Sequence, residues 1–169
     1  MNDIDPAALE VIGATPDVLR RLFSGLPAEV LLQPNDEGWS LKDIVAHLHD
    51  VEDAAFVGRI QRMLDESSPY IRSIDPPARL IAGGYAARQL EELLDELQSQ
   101  REAHVAWLRR LGPDELGRTG EHDEVGTISV MDIVHQWPAH DLTHLRQIAQ
   151  MLHQHFTPRM GATRAFYDV

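Results

Sequence analysis

The sequence contains no cysteine. Disulfides, a thiolate nucleophile and thiolate metal ligands are therefore excluded. Positive charge is also scarce: 15 Lys and Arg stand against 27 Asp and Glu, a formal net charge of −12 with His neutral. A nucleic-acid binder needs a basic face that displaces phosphate counterions, and the few Arg here are scattered along the chain, so nucleic acid is excluded as a partner. An anionic bilayer would repel the chain as well. No uninterrupted apolar run approaches the roughly 20 residues of a membrane span, so no membrane role is expected. The opening Met-Asn-Asp-Ile-Asp-Pro lacks the basic and apolar regions of a signal peptide, which leads us to expect a cytoplasmic protein. No low-complexity tract or linker divides the 169 residues, and 43% of them are apolar. Residues 1–169 are thus expected to form a single domain with an ample core. Against these shortages stands an abundance: nine His, compared with three Trp, three Tyr and four Phe.

The apolar residues recur at helical spacing in four long segments. The first, about Pro6 to Ser24, is interrupted at Gly13 and Thr15-Pro16, where a bend or restart is expected. The second opens at Ser40 with Asp43 three residues later, a capping-box arrangement, and keeps its stripe to about Ser67. The third runs from about Tyr85 to Leu111, with Arg101 and His104 on the same stripe as its leucines. The fourth begins at Ser129-Val130-Met131-Asp132, which repeats the local pattern of Ser40-Leu41-Lys42-Asp43, and Pro158 forbids much extension beyond its end. Ser68 to Gly84 and Gly112 to Thr127 read as two long loops, with no alternating strand pattern. Long loops in compact domains often serve as lids or binding loops. The expected fold is all-α: a four-helix bundle whose long loops allow a crossover connection.

Chemistry concentrates in His135-Gln136-Trp137-Pro138-Ala139-His140-Asp141-Leu142-Thr143-His144. His140 and His144 are four apart and project from one helix face. At 100° per residue that face also holds Trp137, Asp141, Ile148 and Met151, so it belongs to the inward stripe. A bundle core does not accept three polar side chains on one helix unless they are satisfied. A divalent metal satisfies two at once, because an i, i+4 His pair is a standard two-ligand bite. The candidate third ligand is His47, on the flank of the buried stripe of the second helix; its neighbour His49 points away and reads as solvated. The metal reading is therefore His47, His140 and His144, with the remaining positions open to water or substrate, as in catalytic sites. Imidazole ligands suit zinc or nickel, with iron, cobalt or manganese as alternatives. The competing reading is that these histidines pack in the core with ordinary hydrogen bonds. His104, His122, His135, His153 and His155 read as ordinary residues; a loop folding over a pocket would make His122 the exception.

Trp39-Ser40-Leu41-Lys42-Asp43-Ile44-Val45-Ala46-His47-Leu48, paired about 90 residues later with His140-Asp141-Leu142-Thr143-His144-Leu145-Arg146-Gln147-Ile148, resembles the DinB/YfiT-like superfamily. The resemblance extends over most of the chain, including Met160-Gly161 and the aromatic tail. It implies a four-helix bundle with a long crossover and a divalent metal held by three histidines, which map by position onto His47, His140 and His144. Some relatives are S-transferases or isomerases that use a low-molecular-weight thiol, and others are hydrolases. The resemblance thus implies a small-molecule substrate, either a transferase or a hydrolase, or a non-catalytic metal-binding stress or interaction protein. A shared bundle does not choose between them. A homodimer through helix faces is compatible with such a bundle.

Two mechanisms suit three His ligands: activation of a water, or binding of an external thiol as thiolate, since the chain has none of its own. Either gains from a carboxylate as proton acceptor or as orienter of a ligand, and Asp141 and Glu52 are the best placed. Tyr85, Trp107, Arg101 and the loop from Pro69 to Gly84 are candidates to line a substrate pocket.

Overall fold

Two serine residues start the helices that matter most. In the computed structural model, which describes residues 4–167, the Ser40 hydroxyl accepts from the Asp43 amide and the Asp43 carboxylate accepts from the Ser40 amide. Ser129 and Asp132 repeat this reciprocal cap. Each cap satisfies two amides that a helix start leaves without partners. The helices they open are α3 (Leu41–Val51) and α8 (Val130–Phe156). They follow α1 (Pro6–Phe23) and the short α2 (Ala28–Leu32). After α3 the helical path continues through a π-turn, Glu52–Val57, into α4 (Gly58–Asp65). Then come β1 (Tyr70–Ile71), α5 (Pro76–Ala82), α6 (Leu90–Leu108), α7 (Pro113–Leu116), β2 (Thr119–His122) and β3 (Gly126–Ser129). Pro158 lies in a 3-10 turn directly after α8.

The bundle is four-helical, and its connectivity is not simply up-down-up-down. Helix α1 packs on α6 and α8, and α3 packs on the same two. The sequential pairs α1/α3 and α6/α8 therefore stand across the bundle from each other, and their connectors cross it. None of the helices in the described residues is long and apolar enough to cross a membrane.

Three expectations are corrected. The segments read as plain loops carry structure: Asp75 caps α5 through a hydrogen bond from the Ala78 amide, and β1, β2 and β3 form a small sheet. Strand β1 pairs parallel to β2 (Tyr70 opposite Glu121), and β2 pairs antiparallel to β3 (Thr119 opposite Ser129). Strands of two to four residues are too short to show alternation, and it is pairing that defines them. Next, α1 runs through Thr15-Pro16 as one helix. Third, the helix after Ser40 is not regular: the Gly58 amide donates to the Asp53 carbonyl five residues back. A Cβ at Gly58 would lie 2.3 Å from that oxygen, so glycine is what lets this turn form.

The core divides into two apolar halves. One gathers Ile12, Phe56, Ile60, Leu108, Val134 and Trp137; the other gathers Leu19, Ile44, Leu48, Leu93, Leu97 and Ile148. Between them, each long helix carries polar groups at the same level: Thr15 on α1, His47 and Glu52 along the second helical path, Arg101 on α6, and His140, Asp141 and His144 on α8. Thr15, His47, Glu52, Arg101 and Asp141 are buried. Pro16 has a part in this layer. A proline lacks the amide that would bond the carbonyl four residues back, and that carbonyl, Ile12 O, accepts instead from Arg101 Nη1 at 2.9 Å.

Candidate metal centre

The layer holds two clusters. The first is centred on Arg101, which is fully buried. Its Nε donates to Glu52 at 2.6 Å, and Nη1 and Nη2 donate to the two oxygens of Asp141 at 2.5 and 3.0 Å. The second Glu52 oxygen lies 2.9 Å from His104 Nδ1, and the guanidinium covers the Trp137 ring, which stacks on Phe56. Burial alone would push the Asp141 carboxyl up, but the nearby His140 ring, the guanidinium and Thr15 together hold it below the usual carboxylate range. Burial likewise opposes the Arg101 charge, and Asp141 and Glu52 outweigh it and raise its pKa. The π-turn brings Glu52 to this position, at its first residue. One guanidinium thus bridges two carboxylates beside the second cluster.

That second cluster is His47, His140 and His144. Their Nε2 atoms converge: His47 to His140 at 3.1 Å and His144 to His140 at 3.2 Å, with one ring nitrogen of each residue all within 4.8 Å of one another. Helix α3 supplies the first and α8, through its i, i+4 pair, the other two. Trp39 stands edge-on to His47 and Phe56 edge-on to His140. Burial, followed by the neighbouring His144 and His140, depresses the His47 pKa to about 3. Burial and His140 lower that of His144. Both rings are therefore neutral near pH 7.

Proton bookkeeping within the cluster does not close. His144 Nδ1 lies 3.0 Å from Gln147 Oε1, an acceptor, so its proton is on Nδ1 and a lone pair on Nε2. Only His140 Nε2–H can then donate across the His140–His144 contact, and the same proton cannot also point at His47. Nδ1 of His47 and of His140 are buried without a hydrogen-bond partner; the nearest carboxylate, Asp141, is 3.9 Å from His140 Nδ1. Three imidazole nitrogens meeting at one point suit a divalent cation, whose tetrahedral ligand atoms stand about 3.3 Å apart for bonds near 2.0 Å. The group fits.

The sequence profile of the DinB superfamily matches residues 12–148, most of the chain and the whole of the layer just described. The chain belongs to the DinB superfamily. The chain is similar in fold to YfiT from Bacillus subtilis, described as a metal-dependent hydrolase of provisional assignment with an unusual four-helix bundle topology. The two structures superpose with a TM-score of 0.79 at 22% identity, over 95% of this chain and 92% of that one. The chain is also 25% identical, over 114 residues, to an Oceanobacillus iheyensis protein that bears the provisional name of metal-dependent hydrolase; the match spans 68% of this chain and 65% of that relative.

Other predicted residues fall in distinct places. Asp141 and Glu52 both sit in the Arg101 cluster rather than against the point where the imidazoles meet. His49 is not solvated: it lies half-buried between the Tyr85 hydroxyl, 3.0 Å from Nδ1, and Glu96, 2.8 Å from Nε2. Tyr85 consequently lines no pocket at the imidazoles, and burial, reinforced by Asp50, pushes its pKa up to about 12. Trp107 packs against the first core half. From Pro69 to Gly84 it is Pro76 that reaches the cleft beside His47 and His144. Sequence reasoning missed the role of Gln147, although its place three residues after His144 marks it as a neighbour on the same face.

Proposed function

We propose that this DinB-superfamily chain is a metal-dependent hydrolase of a small molecule, with His47, His140 and His144 as the ligands of a divalent cation, zinc or nickel in the first place. The observation that carries the reading is the convergence of three imidazole Nε2 atoms whose lone pairs cannot all be satisfied by protons of the cluster. A divalent ion bound there supplies a Lewis acid that polarises a scissile carbonyl and acidifies a water.

The chain's own residues do the rest. Gln147 accepts the Nδ1 proton of His144 and so keeps that ring in the tautomer that presents Nε2. Trp39 and Phe56 restrict rotation of the other two rings. Asp141 and Glu52 act from behind: tied to Arg101, they hold α8 and the second helical path, which carry the ligands, at one level. Because their oxygens are already engaged, neither is the first acceptor of a proton from substrate. The names of the two relatives support hydrolysis in particular.

Elemental analysis of purified, untagged protein tests this directly. Close to one equivalent of metal is expected in the native chain, and less than a tenth of that in His140→Ala, judged by the loss of one of three ligands. Native protein without stoichiometric metal, and unable to take up zinc, would sink the proposal. Given metal, turnover of simple esters and amides separates a hydrolase from a chain that only stores or is stiffened by its ion.

A further inference from the structure

The cleft that opens on the imidazoles has its own recognition chemistry. It encloses about 520 Å³ between the start of α5, the face of α8 that follows His140, and the turn preceding α3. That turn is rigidly made. The Asn35 side-chain carbonyl accepts from the amides of Glu37 and Trp39, at 3.0 and 2.9 Å, and the Asn35 amide donates back to the Trp39 carbonyl. Gly38 allows the closure with φ +85°. Trp39 and Glu37 are thereby fixed at the rim, with Pro76 adding a second apolar wall.

One cation lines this cleft, Arg146, and one anion, Glu37. Among the described residues the Arg146 guanidinium has no ion-pair or hydrogen-bond partner. In a chain of net charge −12, several arginines are already engaged by carboxylates, including Arg20, Arg62, Arg79, Arg88 and Arg101. An unengaged arginine beside a set of imidazoles, in a cleft with apolar walls, has the donor geometry for a carboxylate. Glu37 on the same rim repels an anion, so an acidic group gains only where it lies against Arg146.

We infer that the substrate is a carboxylate-bearing small molecule with an apolar body, anchored through its carboxylate by Arg146 and lying against Trp39 and Pro76 with its reacting end at the imidazoles. The inference rests on the metal reading above for the reacting end and on Arg146 for the anchor, and the two are tested separately. For the zinc-loaded protein, calorimetric titration compares 6-mercaptohexanoate with 6-mercapto-1-hexanol, which share a metal-seeking sulfur and differ in the far group. The acid is expected to bind about two- to fivefold more tightly than the alcohol, the scale of one ion pair made by an exposed arginine. Arg146→Ala is expected to abolish the difference while leaving metal content and the affinity for the alcohol unchanged.

For metal-free protein, NMR titration with hexanoate, and with 1-hexanol as control, reads the anchor alone. Signals of the 35–39 turn and of Gln147 shift with hexanoate in the native chain and not in Arg146→Ala. Equal affinity for the two thiols, or a preference that survives Arg146→Ala, overturns the anchor. Failure of both thiols to bind, with the hexanoate shifts intact, overturns the metal reading and leaves the anchor standing.

Discussion

Arg101 and His140 lie in the same polar layer, and they differ in how their hydrogen-bonding capacity is used. The guanidinium makes four bonds to three partners, Glu52, Asp141 and the Ile12 carbonyl. The imidazole crowds two neighbouring lone pairs and leaves its Nδ1 without a partner. One cluster is complete without a ligand and the other is not. A buried polar group that is fully paired specifies how helices meet; one that is left wanting marks where something else is to bind.

Breaking Arg101 should have the largest effect. Arg101→Met strands two buried carboxylates and a carbonyl, which costs about 3 to 5 kcal/mol. For a chain of this size that lowers Tm by about 10 °C, which thermal melts of the metal-free protein should show. Replacing Arg101, Glu52 and Asp141 together by Met and Leu should recover most of it, because no charge is then left unpaired. His140→Ala is the mirror experiment: metal is lost while the metal-free melt changes by less than about 1 kcal/mol, since an unsatisfied group is removed. Equal damage to the metal-free fold by both variants would erase the distinction between the clusters.

The turn that delivers Glu52 offers a smaller intervention. Gly58→Ala forces a methyl group against the Asp53 carbonyl, costing about 1 to 3 kcal/mol as the turn shifts, and a denaturant titration would show it. Acid sharpens the comparison from the other side. With the folded His47 pKa near 3 and the unfolded value near 6.5, the unfolded chain binds the extra proton between those values. Metal-free stability therefore falls as pH drops below about 6.5, by at most about 1.4 kcal/mol per pH unit from this residue. His47→Gln should flatten that slope; an unchanged slope would show that His47 titrates normally. Least in effect on the fold, Gln147→Leu should leave the melt alone and weaken zinc binding about 10- to 100-fold by releasing the His144 tautomer, as a competition titration with a chelator would report.

How much of this was legible in the sequence depends on distance along the chain. Ser40 with Asp43, and Ser129 with Asp132, state their caps within four residues, and the i, i+4 pair His140 and His144 states its shared face. His47 was reachable because its place on the α3 stripe follows from the same periodicity. What stayed illegible depends on contacts between helices. Arg101 stood out on an apolar stripe, but nothing local says that Glu52, Asp141 and the Ile12 carbonyl meet it. The π-turn hides because five-residue hydrogen bonding changes no composition, and the strands hide because pairing alone defines them. Pro16 reads as a helix breaker in sequence, whereas in the fold the carbonyl it frees is taken by another helix.

That freed carbonyl has a further consequence. A helix can slide along its neighbours in steps of one turn, about 5.4 Å, and apolar ridges forgive such a step more readily than point charges do. Ile12 O on α1, Glu52 in the π-turn and Asp141 on α8 all meet one guanidinium on α6, so the four helices share a single permitted height. The arginine works as an index pin: it sets the axial position of α8 against α3, and with it whether His140 and His144 arrive level with His47.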